Sequence, residues 1–295
     1  MRKKILVLGG SYFFGRWFVE FAHDNHDLTI VNRGNIPVNI HNVKEITADR
    51  HDKEALNQLA GQSYDLCVDF CAYAPGDIET IVNIPGLTIK RYIFISTVDV
   101  YKRMPGVLIN TACDLTDEFP EGPEGDYIKG KVNLEKEIAS LRKQHKIEFT
   151  SIRPTILYGP ANYAEREGTY FNWIKTAGEV INPIDATGFF QLTYVGDAAR
   201  VLVKICEMDE APESLNLCGL RIDSYRSFLD ALGTIPDVTF KEIDISVSDM
   251  LNQNIILPFP VLKEYSQAYK GLNYADFGVV ETDLSKGLEK AYKLY

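Results

Sequence analysis

A doubly wound α/β fold built on a parallel sheet is predicted by three observations. The first 155 residues alternate short apolar runs with amphipathic stretches; the first apolar run turns sharply on glycine into a helical segment; and past Arg153-Pro154 the alternation loosens. Strands are expected at Ile5–Leu8, Leu28–Val31, Val43–Thr47, Leu66–Phe70, Tyr92–Ile95 and Phe149–Ile152. Helices are expected near Arg16–His23, Lys53–Leu59, Asp77–Val82 and Tyr127–His145. Beyond residue 155, Pro160, Pro183, Pro212, Pro236, Pro258 and Pro260 break the chain into the short pieces of a smaller, irregular lobe. The sheet domain is thus expected over 1–155 and the lobe over most of 156–295. Residues 190–220 return to the sheet, because Val195–Cys206 reads as a helix and Ser214–Leu217 as a strand. At the end, Thr282–Leu294 reads as an amphipathic helix with Thr282 as N-cap and apolar residues at Leu284, Leu288, Ala291 and Tyr292.

The 45% hydrophobic and 24% charged residues are those of an ordinary globular protein. The net charge of −10 gives a field that repels phosphate backbones and anionic membranes, and the basic residues are scattered, so a nucleic-acid partner is not expected. Five cysteines, Cys67, Cys71, Cys113, Cys206 and Cys218, form no C-x-x-C pair and no disulfide pattern, which fits a reducing, cytoplasmic setting. The first ten residues do not read as a signal peptide, and no apolar run approaches the roughly 20 residues that span a bilayer. The five histidines show no metal-ligand spacing, and no metal is expected.

After the first strand comes Gly9-Gly10-Ser11-Tyr12-Phe13-Phe14-Gly15, followed by the helical Arg16-Trp17-Phe18-Val19-Glu20-Phe21. A strand that turns on glycine into a helix leaves backbone N–H groups at a positive dipole end, which suits a pyrophosphate and is the arrangement of a Rossmann-type dinucleotide site. Gly9 makes the turn and Gly15 lets the helix pack closely on the sheet. As Gly-x-x-Gly-x-x-Gly, the loop has Tyr12 in place of the middle glycine. A tight turn without ligand is the alternative reading of the loop alone.

The second strand ends in Val31-Asn32-Arg33-Gly34, where an NAD site places an acid for the ribose 2′-hydroxyl. Neutral Asn32 and cationic Arg33 suit a 2′-phosphate, so NADP is slightly favoured over NAD; Arg33 also reads as a solvated loop residue. Asp49, after the third strand, is placed to accept from the adenine amino group or is a surface carboxylate.

Of sixteen tyrosines, Tyr127 alone has a lysine four residues later, Lys131. Following the turn Pro123-Glu124-Gly125-Asp126, the pair shares one helix face at about 5–6 Å between β-carbons. Lowering a phenol from pKa ~10 toward 7 takes roughly 4 kcal/mol, which an adjacent ammonium and a positive nicotinamide could supply. Tyr127 could then take a proton from an alcohol while hydride leaves its carbon, or run the reverse on a carbonyl. The strand at Tyr92–Ile95 delivers Ser96-Thr97-Val98-Asp99-Val100-Tyr101 to its carboxyl end, where Thr97 either hydrogen-bonds the reacting oxygen or caps the strand end.

These motifs, together with Arg153-Pro154-Thr155-Ile156-Leu157-Tyr158-Gly159-Pro160 and Tyr194-Val195-Gly196-Asp197-Ala198-Ala199, resemble the extended and atypical short-chain dehydrogenase/reductases, the NAD-dependent epimerase/dehydratase family. The resemblance implies Thr97, Tyr127 and Lys131 as the catalytic set, with Lys131 also holding the nicotinamide ribose. It implies that the backbone of Phe70-Cys71-Ala72 lines the cofactor beside Gly9 to Gly15 and Pro154, with Cys71 a buried packing residue, and that the protein is a homodimer built on helices including Tyr127–His145. Tyr12 is similar to the atypical branch. Ile156 stands where nucleotide-sugar enzymes of the family carry an asparagine. Val98-Asp99 stands in place of the Asp-Glu pair of the 4,6-dehydratases, which argues against simple dehydration.

The expected activity is an NAD(P)-dependent oxidoreductase or epimerase acting on the secondary alcohol or ketone of a sugar-like or nucleotide-sugar metabolite. The alternative is a non-catalytic dinucleotide-sensing or RNA-binding protein, since the atypical branch contains chloroplast stem-loop RNA-binding proteins. Tyr73, Asp99, Tyr158, Asn172, Phe189, Phe190 and Gln191 are candidates to shape the substrate pocket or, equally, to pack the core; Asp99 reads as an acid near the substrate or a strand-end cap.

Overall fold

The computed structural model describes residues 2–295. By internal contacts the chain divides into two compact units, residues 1–102, 111–154 and 198–217, and residues 103–110, 155–197 and 218–295.

The first unit holds a seven-stranded, wholly parallel sheet. Its strands are β1 (Lys4–Leu8), β2 (Asp27–Asn32), β3 (Lys44–Thr47), β4 (Ser63–Asp69), β5 (Thr88–Ile95), β7 (Glu148–Pro154) and β11 (Ser214–Leu217), in the order β11-β7-β5-β4-β1-β2-β3. The order reverses at β1, the doubly wound pattern that leaves a crevice at the carboxyl ends of the central strands. Register places Ile5 beside both Leu28 and Leu66, and the four residues Ile5 to Leu8 are buried, as expected of a central strand covered on both faces. The helices of this unit are α1 (Phe13–Ala22), α2 (Lys53–Leu56), α3 (Asp77–Val82), α4 (Pro123–Gln144) and, from Ala198 onward, α6 (Val195–Glu207).

Two helix starts differ from the sequence expectation. Helix α1 begins at Phe13 rather than Arg16, because Phe13, Phe14 and Gly15 are buried and already helical. The segment Pro123-Glu124-Gly125-Asp126 is the first turn of α4 and not a turn preceding it. Proline at the first helical position loses an N–H that has no partner there, and Glu124 and Asp126 complement the positive end of the helix dipole.

The second unit contains three two-stranded parallel pairs, β8 (Ile156–Tyr158) with β10 (Leu192–Tyr194), β9 (Glu179–Pro183) with β12 (Lys241–Ile245), and β6 (Leu108–Ile109) with β13 (Ala268–Tyr269). It also holds α5 (Glu167–Ala177), α7 (Tyr225–Gly233), α8 (Val247–Asn252) and α9 (Leu284–Lys293) around an aromatic core in which Phe190 stacks on Phe259 at 4.4 Å between ring centroids. The closing helix buries Leu284, Leu288 and Ala291, but its N-cap is Asp283, whose carboxylate accepts from the Ser285 N–H. The N–H and hydroxyl of Thr282 are instead spent on Asp197. Among the described residues no helix is long and apolar enough to cross a membrane, and no cluster of three metal-ligating side chains is found.

Candidate active site

The carboxyl ends of the adjacent strands β5, β4, β1 and β2 carry the candidate site residues of the first unit. The loop after β1 turns at Gly9, whose φ of +90° is a conformation that favours glycine. Tyr12 precedes α1 and makes no side-chain cap hydrogen bond to its first turn, whose N–H groups are of the kind that suit a phosphate. Tyr12 is extended, with φ −140°, and Phe13, with φ +40°, joins Gly9 and Gly10 in having a positive φ. Gly15 fits because a β-carbon there would lie 2.7 Å from Gly10 Cα. Gly15→Ala is therefore expected to destabilise the protein by about 1–3 kcal/mol through a forced backbone shift, read from the midpoint of urea unfolding.

At the end of β2, Asn32 is buried; its side-chain amide donates to Glu45 at 2.6 Å and its Oδ1 accepts from Gly34 N–H at 2.7 Å. Arg33 is exposed. Asp49 accepts from His51 N–H at 2.9 Å, and that hydrogen bond holds its carboxyl below the ordinary value.

The loop after β4 lies against the glycine turn, since a β-carbon on Gly9 would meet Phe70 Cβ at 3.4 Å and Cys71 Cβ at 3.6 Å. The Phe70 ring meets Phe14 edge-on at 5.3 Å. Cys71 is not the simple packing residue expected: it is only partly covered, and Arg50 Nη1 donates to its Sγ at 3.3 Å.

Helix α4 carries Tyr127 and Lys131. Tyr127 is 39% exposed, whereas Lys131 is only 2% exposed. The Lys131 ammonium donates to Ala72 O at 2.8 Å and to Ile95 O at 2.7 Å, the carbonyls at the carboxyl ends of β4 and β5. The rings of Tyr73, Phe94 and Tyr127 surround it at 4.5, 4.8 and 5.7 Å. Burial pushes its pKa down to about 8, with the negative charge of Asp69 the chief opposing influence. Next to β5, Thr97 Oγ1 donates to Asp99 Oδ2 at 2.8 Å and accepts from Asp99 N–H at 3.2 Å. Thr97 therefore does cap a turn, Val98–Val100, while its oxygen keeps a free lone pair.

In the second unit several expected pocket residues are spent elsewhere. Gln191 is buried, with its amide donating to Gly219 O at 3.3 Å and Tyr269 O at 3.2 Å and its oxygen accepting from Tyr269 N–H at 2.7 Å, so it ties loops together. Tyr158 is 1% exposed beside Tyr194, and Phe190 belongs to the core. Asn172 is exposed on α5, and Phe189 is part-buried.

Two buried charge networks were missed by the sequence reading. Arg50 forks onto Asp69 with both distances 3.0 Å and donates to Asp77 O at 2.7 Å. Arg153 forks onto Glu135, one turn past Lys131, at 2.8 and 3.0 Å and donates to Tyr101 OH at 2.6 Å, which donates on to Asn216. The second network fastens α4 to β7 and β11. An arginine next to the expected strand Phe149–Ile152 was a signal that a charge partner had to exist in the interior.

Residues 84–218 match the model of the NAD dependent epimerase/dehydratase family. Over 235 residues the chain is 26% identical to the chloroplast stem-loop binding protein of 41 kDa b from Arabidopsis thaliana, which covers 74% of this chain and 59% of that protein. A stretch of 79 residues, 26% of this chain and 23% of the relative, is 40% identical to a UDP-glucose 4-epimerase from Vibrio cholerae. The chain thus spans less than two thirds of the length of either curated relative. Its fold is similar to that of a UDP-glucuronic acid 4-epimerase from Bacillus cereus solved in complex with NAD, with a TM-score of 0.75 over 99% of this chain and 96% of that one at 16% identity. The matched segment carries the Thr97, Tyr127 and Lys131 motifs, and over that segment the chain is similar to the NAD-dependent epimerase/dehydratase family.

Proposed function

We propose that the protein is an NAD(P)-dependent epimerase or oxidoreductase acting on a secondary alcohol or ketone of a nucleotide-sugar or related sugar metabolite. The observation that carries this reading is the placement of Lys131, a buried ammonium at the carboxyl ends of β4 and β5 on the same helix face as the more exposed Tyr127. The residues fit a dinucleotide. The start of α1 and the close Gly10–Gly15 approach suit a pyrophosphate, and Asp49 suits the adenine amino group. Lys131 has two of its three donors on Ala72 and Ile95, which leaves one for a ribose hydroxyl.

A bound nicotinamide would supply a hydride acceptor or donor. The chain's own part is proton handling. Tyr127, held as a phenolate by the nearby Lys131 charge, takes the proton of the substrate hydroxyl and is left as a neutral phenol. Thr97 orients the same substrate oxygen by donating its hydroxyl hydrogen, which is turned to Asp99 and has to rotate toward that oxygen. Arg33 favours a 2′-phosphate, while the Glu45 carboxylate held against Asn32 opposes one. NADP is accordingly expected to bind more tightly than NAD, but by less than about tenfold.

The test is to denature the purified protein, identify any released nucleotide by mass, titrate NAD and NADP, and incubate UDP-hexoses with the protein while following C4 stereochemistry by NMR. Binding of either dinucleotide with turnover of one sugar is expected; failure of both dinucleotides to bind would overturn the reading. The Arabidopsis relative favours a second reading, binding of an RNA stem-loop. That reading predicts RNA retention that weakens steeply with salt, against the net charge of −10.

A further inference from the structure

We propose that Arg50 is a positioning residue, one that fixes the segment joining β4 to α3 and through it Lys131 for the nicotinamide half of the site. The inference rests on the dinucleotide reading above.

Burying a guanidinium is costly unless its donors are satisfied, and Arg50, 9% exposed, directs the hydrogen bonds of both its Nη groups onto one short segment, with Nε alone making none. Besides its fork onto Asp69, it donates to Asp77 O and Cys71 Sγ, and its Nε lies 3.6 Å from Asp77 Oδ1. The two carboxylates then hold the backbone between them. Asp69 Oδ1 accepts from Cys71 N–H at 2.9 Å, and its Oδ2 accepts from Tyr92 OH at 2.5 Å. Asp77 Oδ2 accepts from Tyr73 N–H at 2.7 Å and Ala74 N–H at 3.0 Å, while its Oδ1 faces His51 Nε2 at 2.9 Å. Burial works to raise the Asp69 pKa; the Arg50 charge and these hydrogen bonds outweigh it and keep the carboxylate ionised.

The segment so held is the one that meets Lys131. Ala72 O accepts from its ammonium, the Tyr73 ring covers it, and a β-carbon on Gly130 would lie only 2.1 Å from Tyr73 O. Helix α4 also grips the far end of the segment, where Glu137 accepts from the N–H groups of Gly76 and Glu79. A shift of the segment must therefore move the carbonyl and the ring that fix Lys131. Arg50 directly follows Asp49, the adenine candidate, so one loop serves both halves of the site.

The experiment compares wild type with Arg50→Lys and Asp77→Ala. The second variant leaves the Arg50–Asp69 fork in place and tests the same segment should the first not fold. In brief native acylation with acetic anhydride, read by peptide mass, Lys131 is expected to react roughly tenfold faster in the variants, with Lys90 as the exposed internal reference. In binding titrations, NAD is expected to weaken roughly tenfold while AMP stays within about threefold. Unchanged Lys131 acylation in both variants, or parallel weakening of NAD and AMP as a merely structural role would produce, overturns the proposal. If wild type binds no NAD, the dinucleotide reading fails, and the acylation result still decides whether Arg50 sets Lys131.

Discussion

Tyr127→Phe is expected to lower turnover by about 10²- to 10⁴-fold, the usual weight of a positioned general base, while leaving NAD or NADP affinity within about threefold. The reasoning is local. Removing the phenolic oxygen removes the proton acceptor but not the ring, so the aromatic contact with Tyr73 at 6.2 Å between centroids and the enclosure of Lys131 persist. A loss in kcat with KM little changed identifies an interaction made in the transition state. Steady-state rates on whichever sugar nucleotide is turned over provide the measurement, and undiminished turnover would remove Tyr127 from the chemistry.

Lys131→Met is expected to reverse part of its stability effect with pH. The folded-state pKa of Lys131 is depressed from 10.5 to about 8, so between these values the unfolded chain holds the proton that the folded chain has released. Below pH 8 both states are protonated, and the folded state carries the full cost of the buried charge. As pH rises from about 8 to 10.5 the cost is relieved, and wild type gains stability relative to Lys131→Met by about 3 kcal/mol. The other buried tyrosines and cysteines titrate alike in both proteins and drop out of the difference. At a single pH the variant also strands Ala72 O and Ile95 O, each costing about 1–3 kcal/mol, so the pH dependence rather than the absolute difference is diagnostic. Urea unfolding of both proteins across this range is the check; parallel pH profiles would show that Lys131 is not held as a buried ammonium.

Much of this architecture was legible before any coordinates. The central strands carry apolar runs such as Ile5–Leu8 and Tyr92–Ile95 because both faces are covered, and Ser214–Leu217 was placed residue for residue. Strand β4 starts three residues earlier than expected, at Ser63, because pairing with Thr88 on β5 holds a polar residue that apolar content does not mark. The three small pairs of the second unit escaped entirely: β6 and β13 are two residues each, and β12, with Lys241, Glu242 and Asp244, lacks an apolar run. For Gln191 and Tyr158 the packing alternative is the one their burial matches, since polarity and aromaticity in a loop-rich lobe mark buried cross-links as readily as pocket walls.

By itself the sequence determined the parallel sheet, the glycine turn into α1 and the placing of Tyr127 and Lys131 on one helix face. Each follows from spacing along a single element, through the helical or strand repeat and glycine geometry. Only the tertiary structure decided that Lys131 is buried against the carbonyls of Ala72 and Ile95, and that Arg50 spans separations of 19 and 27 residues to hold Asp69 and Asp77. A buried charge can take its partner from any strand the topology brings alongside, so its pairing is a property of the packed sheet rather than of local sequence.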